Sequence, residues 1–90
     1  MSYEVDFTST LFRVESKGGW TFAPVPEELA PSVSGPWGRT SVVATVDGHT
    51  WSTSVWRERS GRTLMAVPRE VRRGKESGEG VHVRLRFSHL

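Results

Sequence analysis

The sequence contains no cysteine. Without a thiol it has no disulfide framework, no thiolate zinc site, no iron–sulfur centre and no cysteine nucleophile. It also lacks any apolar run near the roughly 18 residues that span a bilayer. Residues 1–11 carry acids, where a secretion signal has a basic segment followed by an apolar one. We therefore expect a cytoplasmic protein without a membrane partner, stabilised by packing alone.

A large excess of charge of one sign is absent as well. Twelve basic and ten acidic residues give a net charge of +2. The charges are unevenly placed, because residues 1–45 hold three bases against five acids and residues 46–90 hold nine bases against five acids. The basic half is either a solvated arginine-rich face or a surface for anions and nucleic acid, since guanidinium groups bind phosphate in bidentate fashion.

The chain has 90 residues, of which 36% are apolar, and this length predicts one small domain over residues 1–90 with a modest core. Apolar and polar residues alternate along most of it, which is the period of β-strands. At Leu11 the apolar phase slips by one residue, which predicts a bulge or a corner. Strands are predicted over residues 3–15, 20–25, 39–46, 49–57, 63–67 and 81–87.

One hairpin is predicted in detail. Asp47-Gly48 suits the two left-handed positions of a type I′ turn, so the strands on either side of it pair antiparallel. A two-residue loop sets the register, in which Ala44 lies opposite Trp51 and Arg39 lies opposite Trp56. The first of these pairs fits a core, and the second brings a guanidinium close to an indole ring.

A short repeat indicates the architecture. Residues 25–29 match residues 67–71, and each copy ends a strand, begins a short helix at a proline and is followed by a further strand. This favours a mainly β fold: a small closed six-stranded β-barrel with two short helices and a pseudo-twofold strand–helix–strand repeat, as in double-psi and swapped-hairpin barrels. The four Trp and four Phe residues favour a filled interior, which would place any site on the rim.

The order of several short motifs resembles that of a known family. The motifs are, in chain order, Trp20-Thr21-Phe22, Val25-Pro26, Val46-Asp47-Gly48, the strand 51–55, residues 64–67, Arg72 and Gly78-Glu79-Gly80-Val81. Together they cover nearly the whole chain and are similar to the bacterial domain of unknown function 1905 family. The resemblance implies a small closed β-barrel with two short helices, and it implies no established activity.

No residues have the spacing of a catalytic or metal site. His49, His82 and His89 lie on separate segments, whereas histidine ligands usually come in closely spaced pairs. The hydroxyl-rich stretch at residues 52–54 lacks the glycines of a nucleophile elbow, and spacing selects no pair of carboxylates for acid–base catalysis. We therefore predict no enzyme activity, no metal and no cofactor.

Two sets of side chains are candidates for binding. Aromatic and arginine residues at the expected rim are typical of interfaces: Trp37, Arg39, Trp56, Arg57, Arg59 and Arg62. A second, arginine-rich set runs from the second helix to the last strand: Arg69, Arg72, Arg73, Lys75, Arg84 and Arg86.

The first set predicts an interaction module for a small ligand, a peptide or a protein partner, in a chain that is a monomer or a homodimer. The second set predicts the alternative, DNA binding through the arginine-rich face. A structural explanation competes with that alternative, because Arg84 and Arg86 are also suited to keeping an exposed strand edge from pairing with another chain.

Overall fold

The alternating residues form seven antiparallel strands in a single sheet, which confirms the mainly β class. The computed structural model describes residues 2–15, 19–31 and 38–88. The sheet has the order β1-β7-β4-β5-β6-β3-β2. The strands are β1 (Ser2–Thr10), β2 (Phe12–Val14), β3 (Trp20–Val25), β4 (Arg39–Val46), β5 (His49–Arg57), β6 (Thr63–Ala66) and β7 (Gly80–Ser88).

The sheet is an open half-barrel, so the prediction of a closed six-stranded barrel is wrong. Its two end strands, β1 and β2, are joined through Leu11, which is 1% exposed. The predicted corner at Leu11 is confirmed, because the chain there exchanges β7 for β3 as its partner. Across the opening, the Ser9 hydroxyl donates to the Pro24 carbonyl at 2.7 Å. Pro24 has no N–H with which to complete a ladder at this point.

The two predicted short helices are reduced to single turns. Glu27–Leu29 forms one 3-10 turn that buries no residue. The other segment, α1 (Arg69–Arg72), is one α-helical turn that buries Val71. Each turn directly follows a proline, Pro26 or Pro68, which suits a helix start because the proline has no N–H to leave unpaired. These turns connect the strands and add little to the core.

The predicted hairpin between β4 and β5 is confirmed. Asp47 and Gly48 have φ values of 47° and 90°, as a type I′ turn requires. Ala44 lies opposite Trp51, and Arg39 lies opposite Trp56. The turn chemistry alone was therefore sufficient to set the register of these two strands.

Strands of the two sequence repeats pair with each other. β3 pairs with β6, and β4 pairs with β7. In these ladders Ala23 faces Met65 and Ala44 faces Leu85, and the members of each pair occupy equivalent positions in the two repeats. A twofold relation between two copies produces this arrangement, in which equivalent residues meet near the axis.

The core lies on one face of the sheet and is mostly aliphatic, with Val46, Val83 and Leu85 among its fully buried side chains. We call the opposite side the outer face. Alternation along β2, β3 and β5 places four of the aromatic residues on the outer face and not in the expected filled interior: Phe12, Trp20, Phe22 and Trp56. The outer face therefore carries a surface lined by aromatic rings.

Candidate binding groove

The four outer-face aromatic residues form one cluster. Phe22 lies at its centre, with ring centroids 5.7 Å from Phe12, 6.4 Å from Trp20 and 5.7 Å from Trp56. The Phe22 and Trp56 rings meet edge to face at 88°, a favourable arrangement for aromatic pairs. The cluster therefore holds the two indoles in place while Trp20 remains 57% exposed.

A groove of about 810 Å³ lies beside this cluster, and we call it the indole groove. Its walls include Trp20, Trp56 and Arg39. Small side chains lie between these walls, because β4 and β5 place Ser41 opposite Ser54 at this position. Large residues at the sides and small ones on the floor leave room for a flat group.

Arg39 gives the indole groove its charge. Among the residues that the structure describes, it is the one ionisable side chain that lines the groove, and none of these lining residues carries a carboxylate. Within residues 2–15, 19–31 and 38–88, no salt bridge involves Arg39. The groove therefore combines indole surface, serine hydroxyls and a guanidinium whose charge is not neutralised by an acid in the described part of the chain.

A second, smaller hollow of about 320 Å³ adjoins the same tryptophan. Trp20, Arg69 and Arg72 are among its lining residues. The Arg72 Nη1 donates to the Val67 carbonyl oxygen at 3.2 Å, and the Val67 N–H donates to the Thr21 carbonyl oxygen at 2.9 Å. These bonds fix the start of α1 against the start of β3, so that arginines come next to Trp20.

The structure brings part of the predicted rim set together. Arg39 and Trp56 are cross-strand partners and wall the indole groove, on the outer face and not at a barrel mouth. Trp37 lies outside the described residues. Sequence reasoning missed Trp20, which was read only as the first residue of a strand. The available signal was that large rings alternate with the small Thr21 and Ala23 along β3.

The three remaining arginines of the predicted rim set lie elsewhere in the structure. The Arg57 Nη2 donates to the Pro31 carbonyl oxygen at 3.0 Å. Arg59 is exposed in the turn after β5. The Arg62 guanidinium lies 4.9 Å from the centre of the Phe12 ring and pairs with an acid of its own turn at 2.9 Å. These three arginines do not line the indole groove.

Two cations of the arginine-rich set are held in ion pairs. The Lys75 Nζ lies 2.9 Å from Asp47 Oδ2, and its hydrogen bond, followed by one from the His82 backbone N–H, lowers the pKa of the Asp47 carboxyl. The Arg84 Nε lies 3.0 Å from Asp6 Oδ1, and this hydrogen bond raises the pKa of Arg84. Both cations are therefore partly neutralised by the fold.

The remaining members of that set lie in different places. Arg69 and Arg72 line the second hollow, and Arg73 follows α1 in the left-handed conformation with φ of 54°. Arg86 lies between Val43 of β4 and Glu4 of β1 and does not line the indole groove. The strand that carries it, β7, lies between β1 and β4. Arg84 and Arg86 therefore do not protect a sheet edge.

The histidines are separate from the groove. The His49 ring lies 6.2 Å from the Trp51 ring, and His82 Nε2 lies 3.4 Å from Asp6 Oδ1. His89 lies outside the described residues. Among the residues that the structure describes, no three His, Asp or Glu side chains are grouped as they are in a metal site, and no helix is long and apolar enough to cross a membrane.

A family model described as "Domain of unknown function (DUF1905)" matches residues 7–86. The match includes the indole groove, the second hollow, all of β2 to β6 and parts of β1 and β7. A comparison with curated proteins gives no match.

Proposed function

This chain belongs to the domain of unknown function 1905 family, and we propose that it is a non-catalytic binding module whose ligand occupies the indole groove. The observation that carries the proposal is that two tryptophans and an arginine wall one groove over a floor of small residues. Exposed rings rigidly held by other rings bind flat ligands with little loss of side-chain entropy. The cluster around Phe22 supplies that rigidity.

The charge of the groove indicates which ligands fit. A guanidinium forms charge-assisted hydrogen bonds with anionic oxygens, and none of the described residues that line the groove has a carboxylate to compete for Arg39. Neutral sugars are a poorer match, since these lining residues offer serine hydroxyls but no carboxylate or amide side chain to accept their hydrogen bonds. We therefore propose a ligand that combines a flat ring with a negative charge, as a nucleotide does.

Binding of anilinonaphthalene sulfonate, a fluorescent aromatic sulfonate, tests this proposal. Titration of the dye with the protein should give a saturable increase in the dye's fluorescence. Arg39→Gln should weaken binding about tenfold, because a charge-assisted hydrogen bond is lost, and Trp20→Ala should weaken it by a similar factor.

Matched controls lie outside the groove. Tyr3 is an exposed aromatic residue on β1, 47% exposed, and Arg59 is an exposed arginine of the turn after β5. Tyr3→Ala and Arg59→Gln should leave the affinity unchanged. If Tyr3→Ala weakens binding as much as Trp20→Ala, the sulfonate only reports exposed rings and the indole groove is not a site.

DNA binding through the arginine-rich face has less support than the groove. Two of its six members, Lys75 and Arg84, lie within 3.0 Å of an acidic oxygen. A further two, Arg69 and Arg72, line the second hollow together with Trp20, and the Arg72 guanidinium donates to the Val67 carbonyl. The set therefore does not form one uniform row of cations for a duplex backbone.

A further inference from the structure

Trp20 lies between two hollows. It walls the indole groove together with Trp56, and it lines the second hollow together with Arg69 and Arg72. More than half of its side chain is exposed, at 57%. A ligand longer than one nucleotide would therefore pass from the groove into the second hollow directly over a single indole.

Arginines flank this path at both ends. Arg39 stands in the indole groove, and Arg69 and Arg72 stand in the second hollow. Arg86 is not part of the path, because it lines neither hollow and lies between Val43 on one side and Glu4 on the other. Arginines therefore stand on the two sides of Trp20, one in the indole groove and two in the second hollow.

Within the described part of the chain, acids do not line the path. Neither hollow has a carboxylate among its described lining residues, although the chain has ten acidic residues. The acids of β1 lie beside β7, where Asp6 is engaged by Arg84 at 3.0 Å and Glu4 lies opposite Arg86. The charge along the path is therefore complementary to a row of phosphates.

We infer that the indole groove and the second hollow together form a track for single-stranded nucleic acid. Bases stack on Trp20 and Trp56, and phosphates are bound by Arg39 on one side of Trp20 and by Arg69 on the other. This combination of stacking rings and a cationic groove is the usual basis of sequence-independent single-strand binding. The inference rests on the proposed function, because it names the ligand class of the same groove.

A duplex does not fit this track. Stacking on the indoles requires unpaired bases, whose flat faces are covered in a double helix. The arginines also lie beside the rings and not in a separate row. They can therefore contact the phosphates only of a strand whose bases lie in the groove. Preference for single strands over duplexes is therefore a direct consequence of the arrangement.

Fluorescence anisotropy with labelled oligothymidylate of about twelve nucleotides, within the usual site size, tests the inference. The comparison strand has the same length and phosphates but no bases. At roughly 50 mM salt the thymidylate strand should bind at least about tenfold more tightly than the abasic strand. Trp20→Ala should abolish most of that preference. Equal binding of the two strands, or tighter binding of the corresponding duplex, would overturn the inference.

Salt dependence tests the path over Trp20. For single strands the logarithmic salt slope changes by about 0.7 for each phosphate contact. Arg39→Gln and Arg69→Gln should each reduce the slope by about this amount, and the double variant by about twice as much. Arg59→Gln should leave it unchanged. If Arg69→Gln binds as the unmodified protein does, the strand does not cross Trp20 and the track is wrong.

Failure of the track and failure of the groove are distinguishable. Retained binding of the aromatic sulfonate with no binding of oligothymidylate overturns the track and leaves the proposed groove intact. Loss of both signals in the unmodified protein overturns both. Urea unfolding of every variant, monitored by circular dichroism, identifies any variant whose loss of binding reflects loss of the fold.

Discussion

Two regions of the outer face use arginine in different ways. On β1 and β7, which we call the paired half, Arg84 lies 3.0 Å from Asp6 and His82 lies 3.4 Å from the same carboxylate. On β3 to β6, which we call the groove half, Arg39 lies opposite Trp56, and none of the described residues that line the groove beside it is an acid. Both regions are solvent-facing parts of one sheet, so the difference lies in the neighbours that the strand order supplies.

The comparison distinguishes arginines that are paired with an acid of the sheet from arginines that remain able to bind an anionic ligand. A cation that is neutralised by an acid of the same sheet has its field largely cancelled before any ligand arrives, and such exposed pairs contribute little to stability. A cation beside rings and small hydroxyl residues keeps its capacity to bind an anion. The groove half is therefore the region where substitutions should change binding, and the paired half is where they should change only stability.

The largest effect is expected for Phe22→Ala in the groove half. Phe22 contacts the rings of Phe12, Trp20 and Trp56, so its removal should leave a gap beneath both indoles. We expect a loss of about 2–3 kcal/mol in the free energy of unfolding, below the range for a fully buried phenylalanine. Urea unfolding measures it, with Ser41→Ala as a control. A loss below about 1 kcal/mol would mean that the cluster does not stabilise the sheet.

A smaller effect is expected for Asp47→Asn in the ion pair with Lys75. Asparagine retains the turn and the acceptor for the His82 N–H, but it removes the charge. Because the pKa of Asp47 is lowered in the folded state, its contribution is present above the ordinary pKa of an aspartate and is lost as the pH falls through the lowered value. The variant should be less stable by about 0.5 kcal/mol at neutral pH.

The difference in unfolding free energy between Asp47→Asn and the unmodified protein should disappear at acid pH. Unfolding free energies of the two proteins, measured from neutral pH down to about pH 2, should converge as the native carboxylate is protonated. A difference that stays constant over the whole range would assign the effect to the turn and not to the ion pair.

A still smaller effect is expected for Arg84→Gln in the paired half. The pair with Asp6 is solvent-exposed, so its loss should lower the melting temperature only slightly. That loss should vanish at about 1 M salt, where exposed charges are screened. Thermal unfolding at low and high salt measures both. A loss that persists at high salt would show that the side chain acts through packing.

The smallest effect on stability is expected for Arg39→Gln. No salt bridge involves Arg39 among the residues that the structure describes, so the free energy of unfolding should change by less than about 0.5 kcal/mol. Binding of the aromatic sulfonate should nevertheless weaken about tenfold, because a charge-assisted hydrogen bond is lost. Equal effects of Arg39→Gln and Arg84→Gln on binding would remove the distinction between the two halves.

The parts of the fold that were predictable depend on local geometry. The hairpin followed from Asp47-Gly48, because a two-residue turn leaves one register, and the corner at Leu11 followed from a shift in alternation. The closed barrel was wrong because closure depends on whether β1 meets β3 along a full ladder. At Pro24 there is no N–H for that ladder, and a side-chain bond from Ser9 takes its place.

The candidate site was only half predictable for the same reason. Arg39 and Trp56 were found together because they belong to one hairpin. Trp20 was missed because its approach to the groove depends on the pairing of β3 with β6 and of β6 with β5. Arg69 lines the hollow beside the same indole because it belongs to α1, which is distant in sequence from β3. None of these approaches follows from the alternation within a single strand.

The sequence by itself determined most of the strands, the register of one hairpin, the basic second half of the chain and the family resemblance that the family model confirms, although it joined β1 and β2 into one strand. These properties depend on side-chain alternation and turn chemistry between near neighbours. The tertiary structure alone decided that the rings lie on the outer face, that Asp6 compensates Arg84 and that Arg39 and Arg69 line the two hollows beside Trp20. Alternation sets which residues share a face, but only the long-range strand order decides which of them become neighbours.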